Sequence, residues 1–170
     1  VSGLTQGGEI TKPEDILTKF INCAAIETHF AWHKYKKDNV NAERELNSGI
    51  IPHEFKKQMY YTFGDFRDIF FGTDISSCPY IKNTSNAIKS ILGDKTTTKE
   101  GEKHIDDNKK LQEWWTIHGP KIWEGMLCAL SYDTTKNNIN GQTRQKLRET
   151  NDYSNMKFSD NTTTLEDFAS

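Results

Sequence analysis

Apolar positions recur at helical spacing along most of the chain and never alternate in twos for long enough to suggest a sheet. The stretch TKPED predicts the first helix start, with Thr11 and Glu14 as a Thr-x-x-Glu capping box and Pro13 in a turn that needs no amide donor. Ile16, Phe20, Ala24 and Ala31 then recur on one side, with Leu17, Ile21, Ala25 and Trp32 beside them, so the helix should run to about Tyr35. The polar stretch that follows is predicted to end at Gly49. A second helix should start at Pro52, because Phe55, Met59, Phe63, Phe66 and Phe70 step by 4, 4, 3 and 4, and Gly72 stands where a glycine would stop it. Residues 84–92 predict a short third helix, and the charged, threonine-rich residues 95–107 a loop.

Leu111, Trp115, Ile122, Met126 and Ala129 share one phase across His118-Gly119-Pro120. Proline removes a hydrogen bond and crowds the preceding turn, yet the unbroken phase favours one kinked helix over the alternative of two. Beyond Tyr132 the chain turns polar, with one helical stretch near TRQKLRET and a helix beginning at TTLEDFAS. The expected organisation is a helical core over 11–132, a polar loop region over 133–163 and the start of a truncated helix over 164–170, all-α throughout.

A length of 170 residues suits one domain. Hydrophobic residues make up only 34 %, so 4 Trp, 6 Tyr and 9 Phe must supply much of the core. A net charge of −2 argues against a nucleic-acid binder, which would show a basic excess. No apolar run approaches the ~20 residues of a membrane span, and VSGLTQGGEI lacks a signal-peptide pattern, so a soluble piece without membrane insertion is expected. Cys23, Cys78 and Cys128 form no Cys-x-x-Cys pair, which disfavours zinc. One bridge with a leftover thiol and three buried free thiols both stay open.

Asp65 and Asp68 lie three apart on the second helix with Arg67 between them. A glycosidase pair must straddle a substrate at ~5–9 Å, so polar struts are the better reading, and no cofactor-binding or nucleophile motif accompanies them. His29 and His33 have the spacing of two metal ligands but lack the intervening Glu and a third ligand, which argues against a metal. Lys34, Lys36, Lys37, Lys56 and Lys57 are a candidate basic patch for a sulfated glycan or an acidic protein surface, against the alternative of ordinary solvated lysines. Trp114, Trp115 and Trp123 are a candidate binding platform but at helical phase suit the core. Asn83 and Asn161 open glycosylation-type triplets.

Three blocks, CAAIETHFAWHKYKK, GIIPHEFKKQMYYTFGDFRDIFFGTDI and EWWTIHGPKIWEGMLCALSY, closely resemble successive blocks of the Duffy-binding-like domain, most of all those of the Plasmodium falciparum erythrocyte membrane protein 1 family. Order, spacing and the start of TTLEDFAS extend the resemblance over about Ile16 to Ser170, as the middle portion of such a domain and mainly its second subdomain. It implies an α-helical, disulfide-stabilised, non-enzymatic adhesion domain with long loops and no cofactor, carried on the infected red cell by a membrane-anchored variant surface antigen. The implied partners are host endothelial or erythrocyte receptor proteins, sulfated glycans or immunoglobulin, and neighbouring domains of the same ectodomain; a structural spacer is the alternative. Many relatives carry a cysteine in the place of Phe70 or Phe71 where this chain reads DIFF, so the family's bridge there is absent or rearranged. The resemblance carries over the scaffold, with Phe55, Met59, Phe63, Phe66, Phe70, Trp115, Ile122 and Met126 as core and Asp65, Arg67 and Asp68 as its polar side, but no receptor site.

Overall fold

The structure, a computed structural model, describes residues 10–73, 79–93, 100–157 and 162–169, the side chains of 79–80, 100–107 and 168–169 excepted. In chain order the elements are α1 (Pro13–Asp38), α2 (Ala42–Asn47), α3 (His53–Phe71), α4 (Pro79–Leu92), α5 (Glu100–Leu130), β1 (Tyr132–Asp133), β2 (Asn138–Ile139), α6 (Gly141–Thr150) and α7 (Leu165–Ala169). The fold is all-α, and the one small sheet among the described residues pairs Tyr132 with Ile139 and Asp133 with Asn138 in antiparallel register.

Pro13 opens α1 as expected, but the cap lies one residue later than the sequence suggests. Asp15, not Glu14, accepts the Lys12 N–H at 3.0 Å, the Thr11 N–H at 3.3 Å and the Thr11 hydroxyl at 3.2 Å. Those backbone donors hold its carboxyl below the usual carboxylate range. At the end of α3, Gly72 turns left-handed at φ 72°, a conformation that costs glycine nothing, and its N–H closes on the Ile69 carbonyl at 3.3 Å.

The longest helix, α5, starts inside the stretch expected as a loop and runs unbroken through Pro120. Pro120 has no N–H for the Thr116 carbonyl, and Thr116 is exposed, so water can serve that acceptor. Leu111, Trp115, Ile122 and Met126 are all buried on one side of the rod. α1 packs along α5, and the two backbones approach closely at Gly125, where an added Cβ would stand 2.9 Å from Ile21 Cγ2. Valine there would overpack the contact at a cost of about 1–3 kcal/mol. Gly125→Val is therefore expected to lower Tm by about 2–12 °C. An unchanged Tm would mean that the two helices separate freely.

Rings build the core, as the composition requires. Phe55, Met59, Phe63, Phe66 and Phe70 are buried along α3. Phe55 meets Trp32 at 5.0 Å, Phe66 meets Phe20 at 5.7 Å, and Phe63 lies 5.5 Å from Trp115 and 6.0 Å from Trp123. Trp114 stacks on Phe70 at 4.6 Å, so all three candidate platform tryptophans serve packing.

Around α6, which forms where TRQKLRET predicts a helix, the described part of the tract 133–163 is more structured than a polar loop. It carries the hairpin's return strand, α6 and a buried Asn151 that ties three segments together. Asn151 Nδ2 donates to the Gly49 carbonyl at 3.0 Å and the Leu147 carbonyl at 3.1 Å, while its own carbonyl accepts Trp123 Nε1 at 2.9 Å. The Tyr60 hydroxyl donates to the Lys157 carbonyl at 2.6 Å. Burial pushes that phenol up to about 12.

An unfolded tyrosine titrates near ~10, so the unfolded chain releases this proton first. The contribution of Tyr60 is whole below about pH 10 and is lost as pH rises toward about 12, at about 1.4 kcal/mol per pH unit. Burial raises Tyr153 to about 12 as well, with the same sign. Tyr60→Phe should flatten, without abolishing, the fall in urea midpoint between about pH 10 and 12. An unaltered slope would show that Tyr60 ionises freely in the folded chain.

Cys23 is a buried free thiol and Cys128 a half-buried one, so the bridge left open among the three cysteines does not join these two. Ile21, the residue that meets Gly125 of α5, lies about 160° around α1 from Cys23, so Cys23 points away from α5. Burial raises the Cys23 thiol. Cys78 lies outside the described residues, as do Asn161 and its possible modification.

Candidate functional site

Helix α1 buries one side and leaves apolar residues on the other. Ile26 is 54 % exposed and Phe30 67 % exposed, one turn apart and out of phase with the buried Phe20, Ala24, Thr28 and Trp32. His29 and His33 flank them with their rings stacked at 6.2 Å, and Tyr132 of the hairpin meets His29 edge-on at 5.6 Å. Tyr132 pairs with Ile139, so the hairpin extends the surface with two more half-exposed apolar side chains. Lys34 and Lys37 stand exposed toward the end of the same helix.

The hairpin presenting Tyr132 is braced. Asp133 Oδ1 accepts the Thr135 N–H at 2.9 Å, the Thr135 hydroxyl at 2.6 Å and the Lys136 N–H at 3.3 Å. The Thr135 bonds hold the Asp133 carboxyl below the usual range. Asn137 takes the left-handed φ of 53°, and its side-chain oxygen accepts the Tyr132 hydroxyl. Side chains held in place lose less entropy when a partner arrives. Chemically the surface is a stiff apolar and aromatic patch with a basic end, suited to gripping a protein rather than to bond-making.

A family profile described as Duffy binding domain matches residues 2–168. The chain belongs to this family. The Duffy receptor of Plasmodium vivax (strain Salvador I) is 29 % identical over 86 residues, which is 51 % of this chain and 7 % of that protein. The Duffy receptor gamma form of Plasmodium knowlesi is 28 % identical over 83 residues, 49 % of this chain and 7 % of that protein. The alignments thus span about 7 % of the length of these curated relatives. No solved structure matches.

In this Duffy binding domain the five candidate lysines differ in surroundings. Lys36 pairs with Glu43 at 3.9 Å, while Lys56 is partly buried, which lowers its pKa. Lys57 is half-buried, and Lys34 and Lys37 alone among the five are exposed. Phe55 marks the side of α3 that faces α1, whereas Lys56 lies further round toward Tyr60, which stacks on Trp123 at 5.9 Å. Lys56 therefore does not extend the α1 surface.

The polar trio of α3 stands at the helix edge. Arg67 covers the Phe71 ring at 5.0 Å and lies 3.8 Å from Asp68, whose Oδ1 accepts the Thr73 hydroxyl at 3.0 Å. Asp65 is exposed. These contacts close the end of α3 around Gly72. Among the described residues no group of three His, Cys, Asp or Glu could hold a metal, and no helix is long and apolar enough to cross a membrane. The sequence reading passed over Ile26, Phe30, Tyr132 and Ile139, although the first two carried a signal as apolar residues on the polar side of an amphipathic helix.

Proposed function

We propose that this chain is a non-catalytic adhesion domain that binds a host cell-surface protein through the outer face of α1 and the hairpin. The observation that carries the reading is the match to the Duffy binding domain family over residues 2–168. Ile26, Phe30, Tyr132 and Ile139 are the contact residues, and Phe30 is the anchor, since buried aromatic anchors dominate interfaces of this kind. Lys34 and Lys37 add steering toward an acidic rim.

The resemblance of the three sequence blocks supports a finer placement. The domain forms part of a variant surface antigen of the Plasmodium falciparum erythrocyte membrane protein 1 family, displayed on the infected erythrocyte, and mediates cytoadhesion. A second reading, capture of a sulfated glycan, is favoured by the exposure of Lys34 and Lys37. Salt separates the two, because exposed charges are screened within ~8–10 Å at physiological ionic strength while apolar contact is not.

The test is binding of the folded chain to erythrocytes, to a panel of endothelial receptor ectodomains and to immobilised heparan sulfate, at low and at raised salt. Salt-tolerant binding to one protein supports the proposal. Salt-sensitive binding to glycan alone would replace it, and binding to nothing would leave the domain a spacer.

A further inference from the structure

A second surface lies between α5 and α6. A groove of about 590 Å³ opens there over an apolar floor of Pro120, Trp123, Leu127 and Tyr153. Charged side chains wall it, and they are not equally engaged. Arg148 is occupied, pairing with Glu124 across the groove at 2.9 Å. Arg144, one turn earlier on α6, is half-buried, and its Nε is buried with no hydrogen-bond acceptor. Among the described residues its guanidinium has no ion-pair partner.

A half-buried guanidinium without an ion-pair partner is poorly compensated for its lost hydration, and its fork suits an incoming carboxylate held by two parallel bonds. Among the described residues the chain's own closing segment does not supply it. Leu165 is buried elsewhere, its carbonyl accepting the Tyr153 hydroxyl at 3.3 Å, and Glu166 borders an adjacent hollow of about 340 Å³.

We propose that the α5–α6 groove docks a segment of a partner protein in which one acidic side chain stands beside an apolar one and is followed by a basic residue. The acidic group takes the free fork of Arg144, and the apolar side chain covers Pro120 and Tyr153, the half-buried part of the floor. The basic residue faces Glu149 and Asp152, which line the same groove. This charge pattern selects a peptide over a sulfated glycan. Repeated sulfates laid on Arg144 would also meet Glu124, Glu149 and Asp152, and like charges brought together oppose binding. The proposal draws on no residue of the α1 surface, so its test leaves that reading untouched.

The probes are a capped Gly-Leu-Glu-Lys-Gly pentapeptide, its counterpart with Gln for Glu, and a heparin tetrasaccharide. Each is titrated into the isotope-labelled whole chain while the Arg144 Nε–H and Trp123 Nε1–H resonances are followed. The Glu peptide is expected to shift both saturably, and the Gln peptide to bind at least tenfold more weakly. Arg144→Gln should erase that difference, while Arg144→Lys, which keeps the charge but loses the fork, should retain part of it. Equal affinity of the two peptides on the unaltered chain would overturn the proposal, whatever happens to the variants. So would shifts produced by the tetrasaccharide alone, or no shift with any probe.

Discussion

Phe70→Ala is expected to destabilise the domain by about 3–5 kcal/mol, the range for truncating a fully buried aromatic. At this chain length that corresponds to a fall in Tm of about 6–20 °C. Phe70 touches rings from three directions: Phe20 of α1 at 6.1 Å, and Trp114 and Trp115 of α5 at 4.6 and 5.3 Å. Removing it opens a hole where α1, α3 and α5 meet, and large indoles cannot collapse into it without leaving their own contacts. Urea unfolding should show the midpoint fall with little change in slope. A loss below about 1 kcal/mol would mean that neighbouring side chains refill the site.

Phe30→Asp should do the opposite, abolishing function while sparing the fold. Phe30 is 67 % exposed, so its replacement should alter stability by no more than about 0.5 kcal/mol. An anchor residue at an interface contributes about 2 kcal/mol or more, so binding to the receptor should weaken about 30-fold or more. Ile26→Asp should follow in the same direction, and the double variant should lose less than the two added together, because adjacent contacts are not additive. Lys34→Glu with Lys37→Glu should chiefly slow association and make it less sensitive to salt. Full binding by Phe30→Asp at unchanged Tm would remove the α1 face from consideration.

The contrast between Phe70 and Phe30 also shows what the chain discloses before it is folded. Helices α1, α3 and α5 were legible because each repeats large apolar residues at helical spacing, and Gly72 punctuates α3 where a left-handed residue is required. Helix α2 was not, since Ala42–Asn47 is short and polar, with only Ala42 and Leu46 buried. The start of α5 at Glu100 was hidden for a like reason, since residues 100–107 are mostly charged in sequence and carry no apolar period. The hairpin has two residues in each strand, too few to express an alternation.

The candidate site was half legible. Ile26 and Phe30 stand out of phase in the sequence, but only the fold brings Tyr132 to His29. The groove was invisible, because Arg144 comes to line the same hollow as Trp123 only after Asn151 has tied the end of α6 to the indole. The five lysines that lie near one another along the chain differ in the fold: Lys34 and Lys37 are exposed on α1, whereas Lys56 is partly buried on α3.

The most direct measurement is hydroxyl-radical footprinting of the domain, free and saturated with the receptor identified by the binding panel. Oxidation of Phe30, His33, Tyr132 and Ile139 should fall sharply in the complex, while Tyr61 and Ile117, exposed elsewhere, should react as before. Protection of Tyr61 or Ile117 with Phe30 and Tyr132 still fully reactive would place recognition on another face and contradict the account.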